Sequence, residues 1–416
     1  MDKRSTFRAR FGAAAEAFMI CAAVALPWSV SIAVLMIVLW LLSALIALSP
    51  RDIGEQIATP SGGLSVALCL LIVISMFWAS VSWAERASGA DAYLKLLTVP
   101  ILLAQFSRTE NGHRILYGFL ASCTVLLVLS WTFIAWPGAA FLSTRDLGVP
   151  VRSAATQSSA FVICAFMLLY LAIDGFRRGN AIATAATTAL ALLFLANVFS
   201  VLTAMPGWFM VPRLSLFIAP ILLAVLAQKE FGAKGALIAI AAMLAAGAAA
   251  LLLSPSLQAV ASEAWQRGMS RPEIWIGDDR PVFWQKSLEF IREAPIVGHG
   301  AGSMGELFSQ AAVGQAGVAA RVTLNPHQQT FAVGIQCGLI GIVLLWAMWI
   351  AHLFLFRGGG LAAWIGLVVV LQNILGSIFD SQLVDFAPGW TYALFVGVAG
   401  GMVHNPAVRD VDAPSN

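Results

Sequence analysis

Residues 30–48 read VSIAVLMIVLWLLSALIAL. Only Ser31 and Ser43 interrupt the apolar run, and no charge falls in it. A helix rises about 1.5 Å per residue, so this stretch spans nearly the ~30 Å hydrocarbon core of a bilayer. The residues in front are also apolar from 13 to 28, and Lys3, Arg4, Arg8 and Arg10 precede them. A secretory signal can look like this. However, the apolar character resumes after Pro27 with no polar mature segment behind it, so the pair reads as a transmembrane hairpin.

Outward from that hairpin the pattern repeats. Helices are predicted near 63–83, 92–106, 115–136, 158–175, 181–203, 213–228, 235–254, 328–356, 361–379 and 388–404. The fold class is all-α, a polytopic membrane protein with about 12 spans and one large outer loop holding an amphipathic helix. Composition agrees: 60% of the 416 residues are hydrophobic and 11% charged, against ~45–50% and ~25% in soluble domains. With so few charged side chains, most of the surface must face lipid. A soluble enzyme, a nucleic-acid-binding domain, a disordered chain and a disulfide scaffold are excluded. Cys21, Cys69, Cys123, Cys164 and Cys337 all lie in apolar runs and read as small buried hydrophobes.

The chain divides into an N-terminal bundle of about nine spans (1–254), an outer segment (255–327), three C-terminal spans (328–404) and a polar tail (405–416). Orientation follows from Lys and Arg. One set of loops holds Lys3, Arg4, Arg8, Arg10, Arg51, Arg108, Arg114, Arg177, Arg178, Lys229, Lys234, Arg357 and Arg409; the other holds Arg86, Lys95, Arg145, Arg152 and Arg213. The richer side is expected to be cytoplasmic and to carry both termini. The long segment 255–327 then lies outside, in the periplasm of a Gram-negative cell.

That segment has the polar residues for a site. Residues 281–293 (PVFWQKSLEFIRE) place Trp284, Leu288 and Ile291 at helical spacing, with Pro281 at the first turn and Pro295 and Gly298 beyond the end. Arg280 stands at its start. Together with free backbone N–H groups it would bind phosphate; alternatively it is a surface cation paired with Asp278 or Asp279. Arg213, after Pro212 at the outer end of a span, is either an anion ligand or a side chain reaching the headgroups. Asn325-Pro326-His327 reads as a helix cap, with His327 in the first turn, neutral and able to take a proton; the alternative is an interfacial histidine that completes the cap. Arg145, Arg152 and Gln157 could extend an anion site or lie on the surface. His113, His299, His352 and His404 look weaker. Asn197, Gln372 and Asn373 suit helix–helix hydrogen bonding.

Other motifs mislead. Gly300, Gly302 and Gly305 match G-x-G-x-x-G, but no strand precedes them, so they form a turn. Asp410 and Asp412 sit in the tail, on the opposite side from the loop. No H-E-x-x-H, outer D-x-D or Walker loop is present. No metal, nucleotide or other cofactor is expected.

The order Arg280-Pro-Val-Phe-Trp284, Ala294-Pro-Ile-Val-Gly298-His-Gly300, Asn325-Pro-His327-Gln and Cys337-Gly338-Leu339-Ile-Gly341 resembles the O-antigen ligase family. The family shows R-x-x-x-W, P-x-x-G-x-G, a His before the next span and G-L-x-G in that order. These motifs cover about 60 residues, and the arrangement of spans extends the likeness over the chain. The resemblance implies an inverting, metal-independent glycosyltransferase. It puts the family's two essential arginines on Arg213 and Arg280 and its essential histidine on His327. Pro212 stands where the family often has Ser. By the same resemblance the partners are a polyprenyl-diphosphate-linked glycan donor, a lipid A–core or other glycan acceptor, and membrane lipids, with no nucleic acid. The location implied is the bacterial inner membrane with a periplasmic site.

Two relatives by resemblance stay open: a polymerase that joins lipid-linked repeats, and a protein-glycosylating enzyme. A transporter or flippase would show matching broken helices in two halves and charges at mid-membrane depth. The sequence offers few of either.

Overall fold

The computed structural model describes residues 3–139, 147–151, 153–203, 214–253, 258, 262 and 279–405. Every regular element among them is helical. In order these are α1 (Lys3–Ala25), α2 (Val30–Ala47), α3 (Pro50–Ile57), α4 (Pro60–Ser75), α5 (Trp83–Asp91), α6 (Thr98–Phe106), α7 (Gly112–Ala135), α8 (Ala154–Arg177), α9 (Ala181–Thr203) and α10 (Leu214–Leu253). They are followed by α11 (Arg280–Glu293), α12 (Met304–Gln310), α13 (Gln329–Leu355), α14 (Gly360–Gly376) and α15 (Phe386–His404). A short 3₁₀ turn, Leu94–Leu97, leads into α6.

Seven of these helices are long and apolar enough to cross a membrane, or nine if each bent pair is one span, against the twelve expected. The chain is a multi-pass membrane protein. The difference in number has local causes. The apolar α4 has 16 residues and reaches the length of a span only together with the polar α3, across a 90° bend set by the Ser49–Asp52 capping box of α3, the Thr59 cap of α4, and Pro50 and Pro60 at the two helix starts. Ser82 and Glu85 form a second capping box at α5, which meets the segment 94–106 at 49°. α14, at 17 residues, falls short of the length for a span. The runs 213–228 and 235–254 join as α10, interrupted at Gly232 (φ 71°). Large apolar side chains such as Leu35 and Leu42 of α2, Ile182 of α9 and Leu237 and Leu244 of α10 are exposed, as a lipid-facing surface requires.

Inside the bundle, close packing depends on small residues. A Cβ at Gly397 would lie 2.3 Å from the Leu102 side chain, and one at Gly401 2.7 Å from Phe106 Cβ, so α15 rests directly on α6. Side-chain hydrogen bonds tie further pairs. Trp40 Nε1 donates to Gln105 (2.7 Å), Trp364 Nε1 to the Phe166 carbonyl (2.8 Å), and Trp349 Nε1 to Asn373 (3.1 Å). Asn197 donates to Ser130 (2.8 Å). These partners fit the helix–helix role expected of the in-span amides. Cys69, Cys123, Cys164 and Cys337 are buried and free, but Cys21 is exposed, which corrects its reading as a core residue.

The two ends of the bundle differ. One carries the ion pairs Arg108–Asp52, Arg177–Glu230 and Arg178–Asp174, with Lys229 bound to the Gly358 carbonyl. At the other, α4 and α14 end while α8, α13 and α15 begin, and there α11 and α12 form a separate small layer. Phe283, Phe290, Met304 and Phe308 of that layer close on Ala332 and Ile335 of α13.

Candidate functional site

Arg280 is the first residue of α11 and is 5% exposed. Of its two expected partners, Asp279 pairs with Arg321 and Asp278 lies outside the described residues; with so little exposure, Arg280 is not a surface side chain. The buried face of α11 is Arg280, Phe283, Lys286, Ser287 and Phe290. This corrects the expected apolar stripe: Leu288 is 43% exposed, because the helix turns the 283/287/290 face to Phe308. Lys286 lies on that face, and its Nζ donates to the carbonyls of Ala311 (3.1 Å) and Ala319 (2.6 Å), pinning the following loop. Trp284 packs against Phe331 of α13 and Phe379 of the 377–385 loop, each 6.3 Å between ring centroids. Those contacts bring the start of α11 to the two segments that carry the rest of the site.

The glycine motifs have a mechanical meaning. Gly338 breaks α13 with φ 61°, a conformation costing about 1–2 kcal/mol for residues with a Cβ. The break frees carbonyls and N–H groups that an intact helix would pair internally, and residues 295–300 take them up. His299 and Gly300 donate to the Ile335 and Gln336 carbonyls (2.8 and 2.9 Å), and the Leu339 and Ile340 N–H groups bond Pro295 and Ile296 (2.8 and 3.3 Å). Gly302 N–H adds a bond to the Gln336 side chain (3.1 Å). A Cβ at Gly298 would meet Cys337 N at 2.5 Å, so the approach needs glycine. The predicted turn at Gly300 and Gly302 is therefore a docking strip; Gly305 belongs to α12.

His327 lies just ahead of α13. The expected cap at Asn325 is displaced: α13 starts at Gln329 and Gln328 caps it, its side chain accepting from Phe331 N–H. His327 is outside the helix, at φ 54°, the one non-glycine residue with positive φ among the described residues. Asn325 holds it there by accepting the His327 N–H (2.8 Å). The His327 Nδ1 is 3.0 Å from Asp380 Oδ1, which also accepts from Ser381 N–H (2.9 Å) and Asn325 Nδ2 (3.3 Å). A carboxylate accepts only, so Nδ1 carries a proton; whenever the ring is neutral, the free lone pair is then on Nε2. The His327 side chain is 37% exposed and Asp380 11%.

The 377–385 loop is itself fixed. Gln329, fully buried, donates to Tyr93 (3.0 Å) and accepts from Leu383 N–H (2.9 Å), while its own N–H bonds Ser377 (3.0 Å). Lys95 Nζ reaches the Leu383 and Asp385 carbonyls (2.9 and 3.1 Å). Burial raises the Asp380 pKa, yet the His327 hydrogen bond and charge, the Ser381 N–H and the Arg280 charge outweigh it, so Asp380 stays below its ordinary value. Arg280, His327 and Asp380 thus share one electrostatic neighbourhood. Asp385 is pushed up to about 6 by burial and by Asp380, against Lys95 and His327.

Of the sequence-predicted residues, the fold therefore brings together Arg280 and His327. Arg213, Arg145 and Arg152 lie outside the described residues. Gln157 is 1% exposed and donates to Ser130 and the Gly148 carbonyl, a helix-packing role instead of an anion site. Asp380, Asp385 and Lys95 were missed. The signal was two acids in the short polar interval FDSQLVD between apolar runs, at the end the cations avoid. Among the described residues no three His, Cys, Asp or Glu side chains gather as a metal site would need.

Residues 213–346 match the family model described as O-antigen ligase, and this stretch carries the domain of that family. The match takes in Arg280 and His327 and ends before Asp380. No curated protein matches the chain.

Proposed function

We propose that this chain, with its O-antigen ligase domain, moves a polyprenyl-diphosphate-linked polysaccharide onto lipid A–core at the periplasmic face of a bacterial inner membrane. The observation that carries this reading is the His327–Asp380 pair at 3.0 Å with the Arg280 charge beside it. The acceptor hydroxyl gives its proton to His327 Nε2 as its oxygen attacks the anomeric carbon of the donor. The bond from that carbon to the diphosphate oxygen breaks, with inversion. Asp380 keeps the imidazole in the tautomer that can accept and stabilises the imidazolium that forms. Arg280 and Arg213 neutralise the departing diphosphate, for which guanidinium suits because it stays charged and forks onto phosphate oxygens. No metal ion is required by this scheme.

The cation-rich end of the bundle is cytoplasmic in this reading, with both termini there and the segment 255–327 outside. The test is complementation of a strain lacking its ligase, scored by O-antigen ladders on gels. Ladders restored by the wild type and lost with Arg280→Ala or His327→Ala, at equal protein level, support the proposal; ladders retained by either variant overturn the mechanism. In a deletion strain, bare core identifies a ligase, whereas core capped by one repeat identifies a polymerase.

A further inference from the structure

The strip 295–300 ties the outer layer to α13 at a depth set by the helix itself. The part of α13 beyond the Gly338 break, residues 339–355, is about 24 Å long at ~1.5 Å per residue. It ends beside Arg357 and the Lys229–Gly358 bond, at the cation-rich end of the bundle. A hydrocarbon core is about 30 Å thick. The break, and the strip bonded to it, therefore stand within the far edge of that core, and a tilt of the helix sinks them further.

The side chains there suit such a depth. Leu339, Val343, Trp346, Ile350 and Phe354 form an exposed apolar stripe along α13, as a lipid-facing surface requires. Ile296, 64% exposed, and Val297 lie against its outer end, because the Leu339 and Ile340 N–H groups are bonded to Pro295 and Ile296. No Asp, Glu, Lys or Arg falls in 295–300 or in α13. The backbone suits it too. Non-helical chain persists at hydrocarbon depth only where its polar groups are paired within the protein. Pro295 brings no N–H, and the Pro295 and Ile296 carbonyls and the Gly298, His299 and Gly300 N–H groups are all bonded. The His299 ring adds a bond from Nε2 to the Phe290 carbonyl (2.8 Å) near the end of α11.

We propose that the α11–α12 layer is seated in the bilayer through Ile296 and Val297, whose partner is the acyl chains of the leaflet on that side. A second copy of the chain would also cover two apolar side chains, but their depth and their continuity with the α13 stripe favour lipid. The seating holds the layer that begins with Arg280 at the membrane surface. It does not depend on which reaction the site performs.

The test uses the full-length protein carrying Cys21→Ser, which leaves the four buried cysteines. A nitroxide is attached at Ile296→Cys or Val297→Cys, and the protein is reconstituted in vesicles of palmitoyl-oleoyl phosphatidylcholine and phosphatidylglycerol. Val343→Cys is the lipid reference. Arg51→Cys on the polar helix α3, where the arginine side chain is 87% exposed, is the water reference. Collision of the label with dioxygen, which concentrates in hydrocarbon, is compared with collision with nickel ethylenediaminediacetate, which stays in water. A dioxygen-to-nickel ratio at both positions several-fold above that at Arg51→Cys, and close to that at Val343→Cys, supports the seating. A ratio equal to that at Arg51→Cys puts the layer in water and overturns it. Labels shielded from both reagents mean that a second copy or another protein covers the band, which also overturns it. Melting temperatures identify a label that disrupts the strip. Wild-type protein then decides: adducts of a lipid-partitioned aryl diazirine on Ile296 or Val297 support the seating, and adducts on Val343 with none on either overturn it.

Discussion

His327 and His352 stand at opposite ends of α13, and they show two different uses of one side chain. His352 is fully buried. Its Nδ1 meets the Tyr392 hydroxyl at 2.5 Å, and its Nε2 meets the Ser61 carbonyl at 2.9 Å with Ser65 Oγ at 3.3 Å. Both nitrogens are occupied by neighbours on other helices, so the ring joins α4, α13 and α15. His327 is strained, part exposed, and held through one nitrogen by a carboxylate. A ring with both nitrogens engaged holds structure together; a ring held at one nitrogen is positioned for something that arrives.

The sharpest way to break this comparison is substitution at both ends. His327→Ala or Arg280→Ala should lower transfer by about 10²–10⁴ without changing protein level, read from ladder formation against immunoblot. Asp380→Asn removes the charge that orients His327 while Asn325 and Ser381 still hold the loop. Its loss should lie near the lower limit for such a group, roughly 10², and appear in kcat more than in KM. His352→Ala should do the reverse. Stripping the Tyr392 and Ser61 groups of their partner costs about 1–3 kcal/mol, seen as a lower melting temperature in detergent, with transfer per folded molecule unchanged. Equal loss of specific transfer at both histidines would erase the distinction. Gly338→Ala should also act on stability, by about 1–2 kcal/mol from its positive φ and more from the Ile296 carbonyl carbon 2.4 Å from the new Cβ. A last effect concerns pH. Asp385 has a raised folded pKa of about 6 against an ordinary 3.8, so its penalty is fully present above about 6 and vanishes below 3.8. Asp385→Asn should therefore melt higher than wild type at neutral pH, and the gap should shrink as pH falls through that window.

The sequence made the helical membrane class legible because long uncharged runs admit few other structures. It singled out Arg280 and His327 as candidates because motif spacing around them is local. It misassigned the cap of α13, though not the start of the span, since Asn325 and Pro326 satisfy capping rules that the fold uses for an Asx turn at His327 instead. It also misjudged which stripe of α11 is buried: Lys286 looks like a solvent-facing residue until the carbonyls of Ala311 and Ala319 are brought to it by folding. Asp380 was missed for another reason: the FDSQLVD interval marks it as an acid between apolar runs but not as a partner of His327. Its partner is 53 residues earlier, and only the pairing of two loops across the end of the bundle reveals it. The twelve expected spans failed as a count where α4, α6 and α14 each stop short of the length of a span and where the runs 213–228 and 235–254 join in one helix.

The docking of residues 295–302 onto the broken α13 bears on how a bulky amphiphile reaches this site. Four main-chain bonds and the Gln336 side chain rivet the small layer to a helix embedded in the bundle. Swinging that layer aside like a hatch would tear them all. In the proposed reaction, a lipid-tethered sugar would then enter sideways between helices, with its tail kept in the hydrocarbon.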